Sequence, residues 1–175
     1  MANDVFINGK PVEIERKYLI EMPELSVVAS QPNYSISEIE QAYITDDGVR
    51  EGGRIRKRKY ADCCKYYKTF KKQIGSITRI EEEFEITEQE YNALCCKLLP
   101  DTRIIKKTRH CFDFDGRVWE LDVYSFWADK ATLEVELDSE DTQVTLPSFI
   151  KTIKDVSQDK AYSNFSLARQ IKCDL

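Results

Sequence analysis

Charged residues in this chain recur at every second position inside runs that otherwise read as strands. Glu13, Glu15 and Lys17 alternate with Val12, Ile14 and Tyr18, and Arg54, Arg56 and Arg58 share a face opposite Ile55. Arg79, Glu81, Glu83 and Glu85 alternate with Ile80, Phe84 and Ile86. Glu120 and Asp122 alternate with Trp119, Leu121 and Val123, and Glu134 and Glu136 with Leu133, Val135 and Leu137. Successive side chains of a strand point to opposite faces, so each run has one charged and one apolar side. A single run of this kind describes a sheet with one solvated face. Five runs, with Glu-x-Glu repeated, point instead to a sheet closed on itself. In a barrel of about eight strands one face of every strand turns inward. If the apolar faces pack against outer helices, the charged faces line the interior. So many charges cannot form a dry core unless they are paired or bind a ligand. The expected result is a wet tunnel for something highly charged.

The remaining pattern fits this class. Period-2 runs predict strands over Val12–Ile20, Glu40–Thr45, Arg54–Lys59, Lys65–Lys72, Ser76–Ile86, Arg103–Phe114, Arg117–Phe126 and Thr132–Asp138. Asp115-Gly116 has the chemistry of a two-residue hairpin turn. Thr87 with Glu90 forms a capping box ahead of Tyr91, Leu94, Cys95 and Leu98, a helix that Pro100 stops. Further short helices are expected after Pro147, from about Ser163 to Ile171, and as one turn over Ser35–Glu40. The predicted class is mainly β (α+β), a closed eight-stranded antiparallel barrel with helices packed outside. With no repeat or Pro/Gly/Ser-rich linker in 175 residues, one domain spanning 1–175 is expected.

Composition removes several functions. The 26 basic and 31 acidic side chains leave a net charge of −5, which disfavours a nucleic-acid partner. No stretch approaches 18 apolar residues, so no membrane span is expected. Met1 to Lys10 lacks the apolar core of an export signal, and the expected location is cytoplasmic. The cysteines are Cys63, Cys64, Cys95, Cys96, Cys111 and Cys173, without Cys-x-x-Cys spacing, and His110 is the single histidine. That pattern reads as reduced thiols and argues against zinc or a histidine-based nucleophile. Chemistry is left to carboxylates, lysines, arginines and a hard metal. Clustered Glu and Asp suit Mg²⁺ or Mn²⁺, and clustered Arg and Lys suit phosphate oxygens. Both in one cavity imply a metal–polyphosphate complex.

The ordered motifs resemble a known family. Glu13-Ile14-Glu15-Arg16-Lys17-Tyr18-Leu19-Ile20 is similar to the N-terminal Glu-x-Glu-x-Lys signature of the CYTH superfamily, the triphosphate tunnel metalloenzymes. Arg54-x-Arg56, Thr69-x-Lys71, Arg79-x-Glu81-x-Glu83-x-Glu85, Lys107-Thr108-Arg109, Trp119-Glu120-Leu121-Asp122 and Glu134-x-Glu136 follow in the family's order. Asp159-Lys160-Ala161-Tyr162-Ser163-Asn164 resembles the tail of its bacterial, tripolyphosphatase-like branch. The resemblance runs from Val12 to about Ala168. It implies an eight-stranded antiparallel tunnel, with Glu13, Glu15, Glu134 and Glu136 as metal ligands or their supports. It implies Glu81, Glu83 and Asp122 as ligands of a second metal or as water-positioning groups. Lys17, Arg54, Arg56, Lys71, Arg79, Lys107, Arg109 and Lys160 become phosphate contacts, and Glu15, Glu83, Lys17 and Lys71 the catalytic set. Parity turns Glu82 outward, and it favours Lys71 over Lys72 and Lys107 over Lys106.

The function so implied is divalent-metal-dependent hydrolysis of a phosphoanhydride bond of inorganic triphosphate, extending to nucleoside triphosphates, with one or two Mg²⁺ or Mn²⁺ ions. Two alternatives stay open: a class IV-type adenylate cyclase releasing pyrophosphate from ATP, and a non-catalytic polyphosphate-binding module. No residue set for adenine recognition is visible, and retained carboxylates argue against a purely phosphate-binding module. The expected partner is a small triphosphate, and the chain acts as a monomer or homodimer.

Overall fold

The computed structural model describes residues 5–7, 10–45 and 53–171. Its strands are β1 (Val5–Ile7), β2 (Lys10–Glu21), β3 (Ser35–Tyr43), β4 (Arg54–Lys59), β5 (Cys64–Gln73), β6 (Thr78–Ile86), β7 (Ile105–Phe114), β8 (Arg117–Tyr124), β9 (Lys130–Glu136) and β10 (Thr152–Asp155). Eight of them form one antiparallel sheet in the order β2-β6-β5-β4-β3-β7-β8-β9, and β9 returns to β2, closing the barrel. The seam is the long strand β2. Val12–Ile14 pair with β6, and Glu15–Glu21 pair with β9. β1 and β10 are added along the same strand. Asp115 and Gly116 sit at φ 50° and 71°, as a two-residue turn between right-twisted strands requires.

The apolar faces look outward, as the alternation implies. Ile14, Tyr18, Ile20, Phe112, Trp119, Leu121, Leu133 and Val135 form the largest core. They pack against Val28 of a short helix, α1 (Leu25–Ala29), and against Val144, Leu146, Phe149 and Ile150 of the connection from β9 to β10. A second core holds Ala42, Ile44 and Ile55 under Tyr91 of α2 (Glu88–Leu94). The Thr87–Glu90 capping box starts α2 as expected, and a 3₁₀ turn over Cys95–Lys97 ends it. The third core lies at one barrel end, where Leu167 and Ala168 of α3 (Asn164–Gln170) meet Ile105 and Tyr124. Among the described residues no helix is long and apolar enough to cross a membrane. Five cysteines are free thiols; Cys173 and parts of Met1–Lys10 lie outside the described residues.

Several expectations need correction. Ser35–Glu40 is strand, because it carries hydrogen-bonded ladders to both β4 and β7. No helix follows Pro147. That segment makes one turn, closed by the Ile150 amide on the Pro147 carbonyl at 2.9 Å, and then enters β10 against β2. Neither β10 nor α1 is legible in the alternation. Strand ends also shift. Gly75 and Ser76 belong to a turn in which the Ile74 and Gly75 amides donate to the Thr78 carbonyl, so β6 begins at Thr78. The Arg103 amide donates to Ala168, so β7 begins at Ile105. β3 ends at Tyr43, β8 at Tyr124, and β9 spans Lys130–Glu136.

If the outward face is the core, truncating it must be costly. Leu121 is fully buried on that face. Leu121→Ala is expected to lower unfolding free energy by about 2–5 kcal/mol in urea denaturation, the range for buried Leu→Ala changes. A loss below about 0.5 kcal/mol, the level of ordinary surface substitutions, would contradict the assignment of faces.

Candidate active site

A cavity of about 1230 Å³ runs through the barrel. Strand parity delivers its lining. Glu13, Glu15 and Lys17 come from β2, Arg54, Arg56 and Arg58 from β4, and Thr69 and Lys71 from β5. Arg79, Glu81 and Glu83 come from β6, Lys107 and Arg109 from β7, Glu120 from β8, and Glu134 and Glu136 from β9. Lys160 reaches the cavity from the chain between β10 and α3, and its residue is exposed. Of the residues assigned a metal, phosphate or catalytic role from the sequence, Asp122 alone is off the wall: it is completely buried beneath it. Glu85 sits outside the cavity, ion-paired with Lys65 at 3.3 Å.

Cross-strand register turns this lining into ion pairs. Lys17 lies opposite Glu134 and meets it at 2.9 Å. Arg79 lies opposite Glu13 and contacts Glu13 at 3.4 Å and Glu15 at 2.9 Å. Lys71, opposite Glu81, contacts Glu81 at 2.5 Å and Glu13 at 2.7 Å. Arg54 donates to Thr69 at 3.1 Å, Glu81 at 3.2 Å and Glu83 at 3.4 Å. Arg56 approaches Glu83 at 3.9 Å. Arg109 bonds Asp122 through Nε and Nη2, each at 2.7 Å, reaches Glu134 at 2.8 Å and also bonds Glu120. Lys107 is held by Asp122.

The carboxylates are not equivalent. Burial works against ionisation of Glu134, but Lys17, Arg109 and Lys107 override it and hold its pKa well below the usual carboxylate range. Burial likewise opposes ionisation of Asp122 and Glu81; Arg109 with Lys107, and Lys71 with Arg54, hold them low. Glu15 behaves oppositely. Burial, then the charges of Glu134 and Glu13, push it up to about 8 despite Lys71 and Arg79. Burial and the neighbouring Glu13 and Glu120 also raise Glu136. Among the cations, burial and Arg54 bring Arg56 down to about 10, and burial brings Lys107 to about 8 against the pull of Asp122.

This donor set fits a hard divalent cation by its chemistry: carboxylate oxygens, with mutual repulsion around Glu15 that a cation would relieve. It is not a finished cage. Among the described residues no three acidic, histidine or cysteine side chains are gathered as metal ligands, since Lys and Arg hold the carboxylates. Sequence reasoning did not single out Arg58 or Glu120 as site residues, although parity with Arg56 and Asp122 contained the signal. It gave no hint of Ser157 and Gln158, cavity residues on an irregular segment.

No family model matches the chain. It is 29% identical over 158 residues to an inorganic triphosphatase of Acetivibrio thermocellus, across 90% of this chain and 93% of that one. Its fold matches the crystal structure of the inorganic triphosphatase NE1496 with a TM-score of 0.57 and 25% identity, covering 92% of this chain and 97% of the other. The PH1819 protein of Pyrococcus horikoshii OT3 shares the fold at a TM-score of 0.55 and 20% identity, over 74% and 80% of the two chains.

The raised Glu15 has a measurable consequence. A carboxyl whose folded pKa lies above its ordinary 4.5 destabilises the fold as pH rises through that value, and the loss is complete above about 8. In chelator, Glu15→Gln is expected to melt above the unsubstituted protein at pH 8, with the difference shrinking toward pH 5. Thermal unfolding at both pH values checks this. An equal or lower melting temperature at pH 8 would mean that Arg79 fully compensates the Glu15 charge.

Proposed function

We propose that this chain, a triphosphate tunnel protein by its ordered motifs, its closed barrel and its similarity to inorganic triphosphatases, hydrolyses inorganic triphosphate with a divalent cation. The observation that carries the reading is the co-location of two opposite charge sets in one cavity. Cations alone would suit anion binding, and carboxylates alone would suit a cation. Together they suit a polyphosphate bound with its metal.

In this reading Lys17, Arg54, Arg56, Lys71, Arg79, Lys107, Arg109 and Lys160 hold phosphate oxygens. Glu13, Glu15, Glu81, Glu83, Glu134 and Glu136 would hold Mg²⁺ or Mn²⁺, which when bound neutralises charge on the bridging and terminal oxygens. Asp122 takes a different part. Its place beneath Lys107 and Arg109 suits it to fix those cations. The attacking water adds to a terminal phosphorus while the P–O bond to the bridging oxygen breaks, giving orthophosphate and pyrophosphate. Lys17 and Lys71 stabilise the charge that develops on the transferred and leaving groups. Glu83 orients the water, and Glu15, on the cavity wall beside Arg79, accepts its proton.

Tripolyphosphate, ATP and no-substrate controls with Mg²⁺ or Mn²⁺ separate the alternatives. Orthophosphate from tripolyphosphate, abolished by chelation and restored by the metal, is expected. Cyclic nucleotide with pyrophosphate from ATP would make the chain a cyclase, and binding without turnover would make it a polyphosphate-binding module. Full turnover in excess chelator by protein shown to be metal-free would refute the metal assignment.

Arg54→Ala and Arg56→Ala test the cationic wall. Each removes a charge-assisted phosphate contact, of order 1.5–3 kcal/mol, so triphosphate affinity should fall roughly 10- to 100-fold. Titration calorimetry with tripolyphosphate reads the change, and circular dichroism confirms the fold. Unchanged affinity in both variants would remove these arginines from the binding set.

A further inference from the structure

We infer that Glu140, a residue outside the cavity wall on the connection from β9 to β10, is a positioning residue for the active site; the inference rests on the triphosphatase reading. Its carboxylate lies over the turn between β5 and β6 and accepts hydrogen bonds from three consecutive residues. Ser76 Oγ donates at 2.7 Å, the Ile77 amide at 3.4 Å, and Thr78 Oγ1 completes the set. Its backbone carbonyl receives Arg16 Nη2 from β2 at 3.4 Å. One residue therefore ties the β5–β6 turn to the opposite side of the barrel seam.

What the latch holds is part of the site. Gly75, Ser76 and Ile77 form the cavity rim. The Ile77 carbonyl accepts the Glu15 amide at 3.3 Å, a single bond continuing the β2–β6 ladder beyond Ile14. Thr78 is followed by Arg79, whose guanidinium spans Glu13 and Glu15. Shifting the turn moves Arg79 and the Glu15 backbone together. Gly75 supplies an independent observation. A Cβ there would lie 2.6 Å from Glu140 Oε1 and 2.9 Å from Thr78 Cβ, so the turn admits the carboxylate only because this position has no side chain.

The carboxylate touches the rim at Ser76 and Ile77 but none of the charged residues of the wall, so its effect on them must travel through Arg79 and Glu15. Misplacement of a binding group by about an ångström is enough to be felt in kcat/KM. Glu140→Ala is expected to raise KM for tripolyphosphate roughly 3- to 10-fold, with kcat changed less than about threefold. Melting temperature should stay within about 3 °C, as for the loss of a part-buried contact at a turn rather than in the core. Gly75→Ala, which evicts the carboxylate from the other side, should raise KM to a similar extent. The double variant should be no worse than the poorer single one, because both changes break one latch.

The experiment is steady-state kinetics with tripolyphosphate for the unsubstituted chain, both single variants and the double, alongside tripolyphosphate affinity by calorimetry and thermal melts. An unchanged KM and affinity in Glu140→Ala overturns the inference, as does a loss of activity that only follows a loss of folded protein. Additive effects of the two substitutions overturn it too, since they would then act separately. If the unsubstituted chain fails to hydrolyse tripolyphosphate, the functional reading falls. The latch is then judged on tripolyphosphate affinity alone, and absence of binding removes both.

Discussion

The cost of enclosing charge governs this molecule. An ionised side chain moved out of water loses solvation worth several kcal/mol even after relaxation, and a pair recovers it only with good geometry. Lys17, Arg54, Lys107, Arg109, Asp122 and Glu134 are all buried. The barrel meets the requirement by register. Antiparallel pairing sets Lys17 opposite Glu134, Arg79 opposite Glu13 and Lys71 opposite Glu81, so closing the sheet assembles the pairs. Much of the strands' apolar complement then goes outward, against α1, α2, α3 and the β9–β10 connection, while Ile36, Phe84 and Val118 stay exposed. The fold is inverted relative to a sandwich because its interior carries the charged faces of the strands.

The same pairs do not satisfy every carboxylate equally. The asymmetry between Glu134 and Glu15 fits this picture. Glu134 is ionised by three cations, whereas Glu15 carries a repulsion that internal partners do not remove. Such perturbed carboxyls concentrate where a protein does chemistry.

How much of this was legible in the sequence depended on period. Two-residue alternation identifies a face, and faces are what the barrel uses. Glu13, Glu15, Lys17, Arg54, Arg56, Arg79, Glu81, Glu83, Glu134 and Glu136 therefore all fall on the wall that their spacing implies. Alternation is silent where structure is fixed by partners distant in sequence. Ser35–Glu40 is a strand because β4 and β7 flank it, and β10 exists because β2 has an edge to offer. Lys160 was legible through its motif, while Ser157 and Gln158 reach the cavity on a segment without periodicity. Alternation also gives direction but not depth. Glu120 and Asp122 share a face, yet one lines the cavity and the other lies under it.

That difference in depth assigns separate work to two residues of identical charge. Asp122 accepts two parallel bonds from the Arg109 guanidinium and a third from Lys107, with no exposure of its own. Bidentate contact fixes the plane of a guanidinium as well as its position. Arg109 is thereby aimed with Nη1 toward Glu120 and Nη2 toward Glu134. For Asp122 to ligate a metal it would have to release both cations, and an unpartnered buried charge costs on the order of 3–5 kcal/mol. Glu120 and Glu134 line the cavity, while Asp122 keeps Arg109 and Lys107 in place beneath it. The deep carboxylate is thus the fixed counter-charge on which this corner of the wall is built.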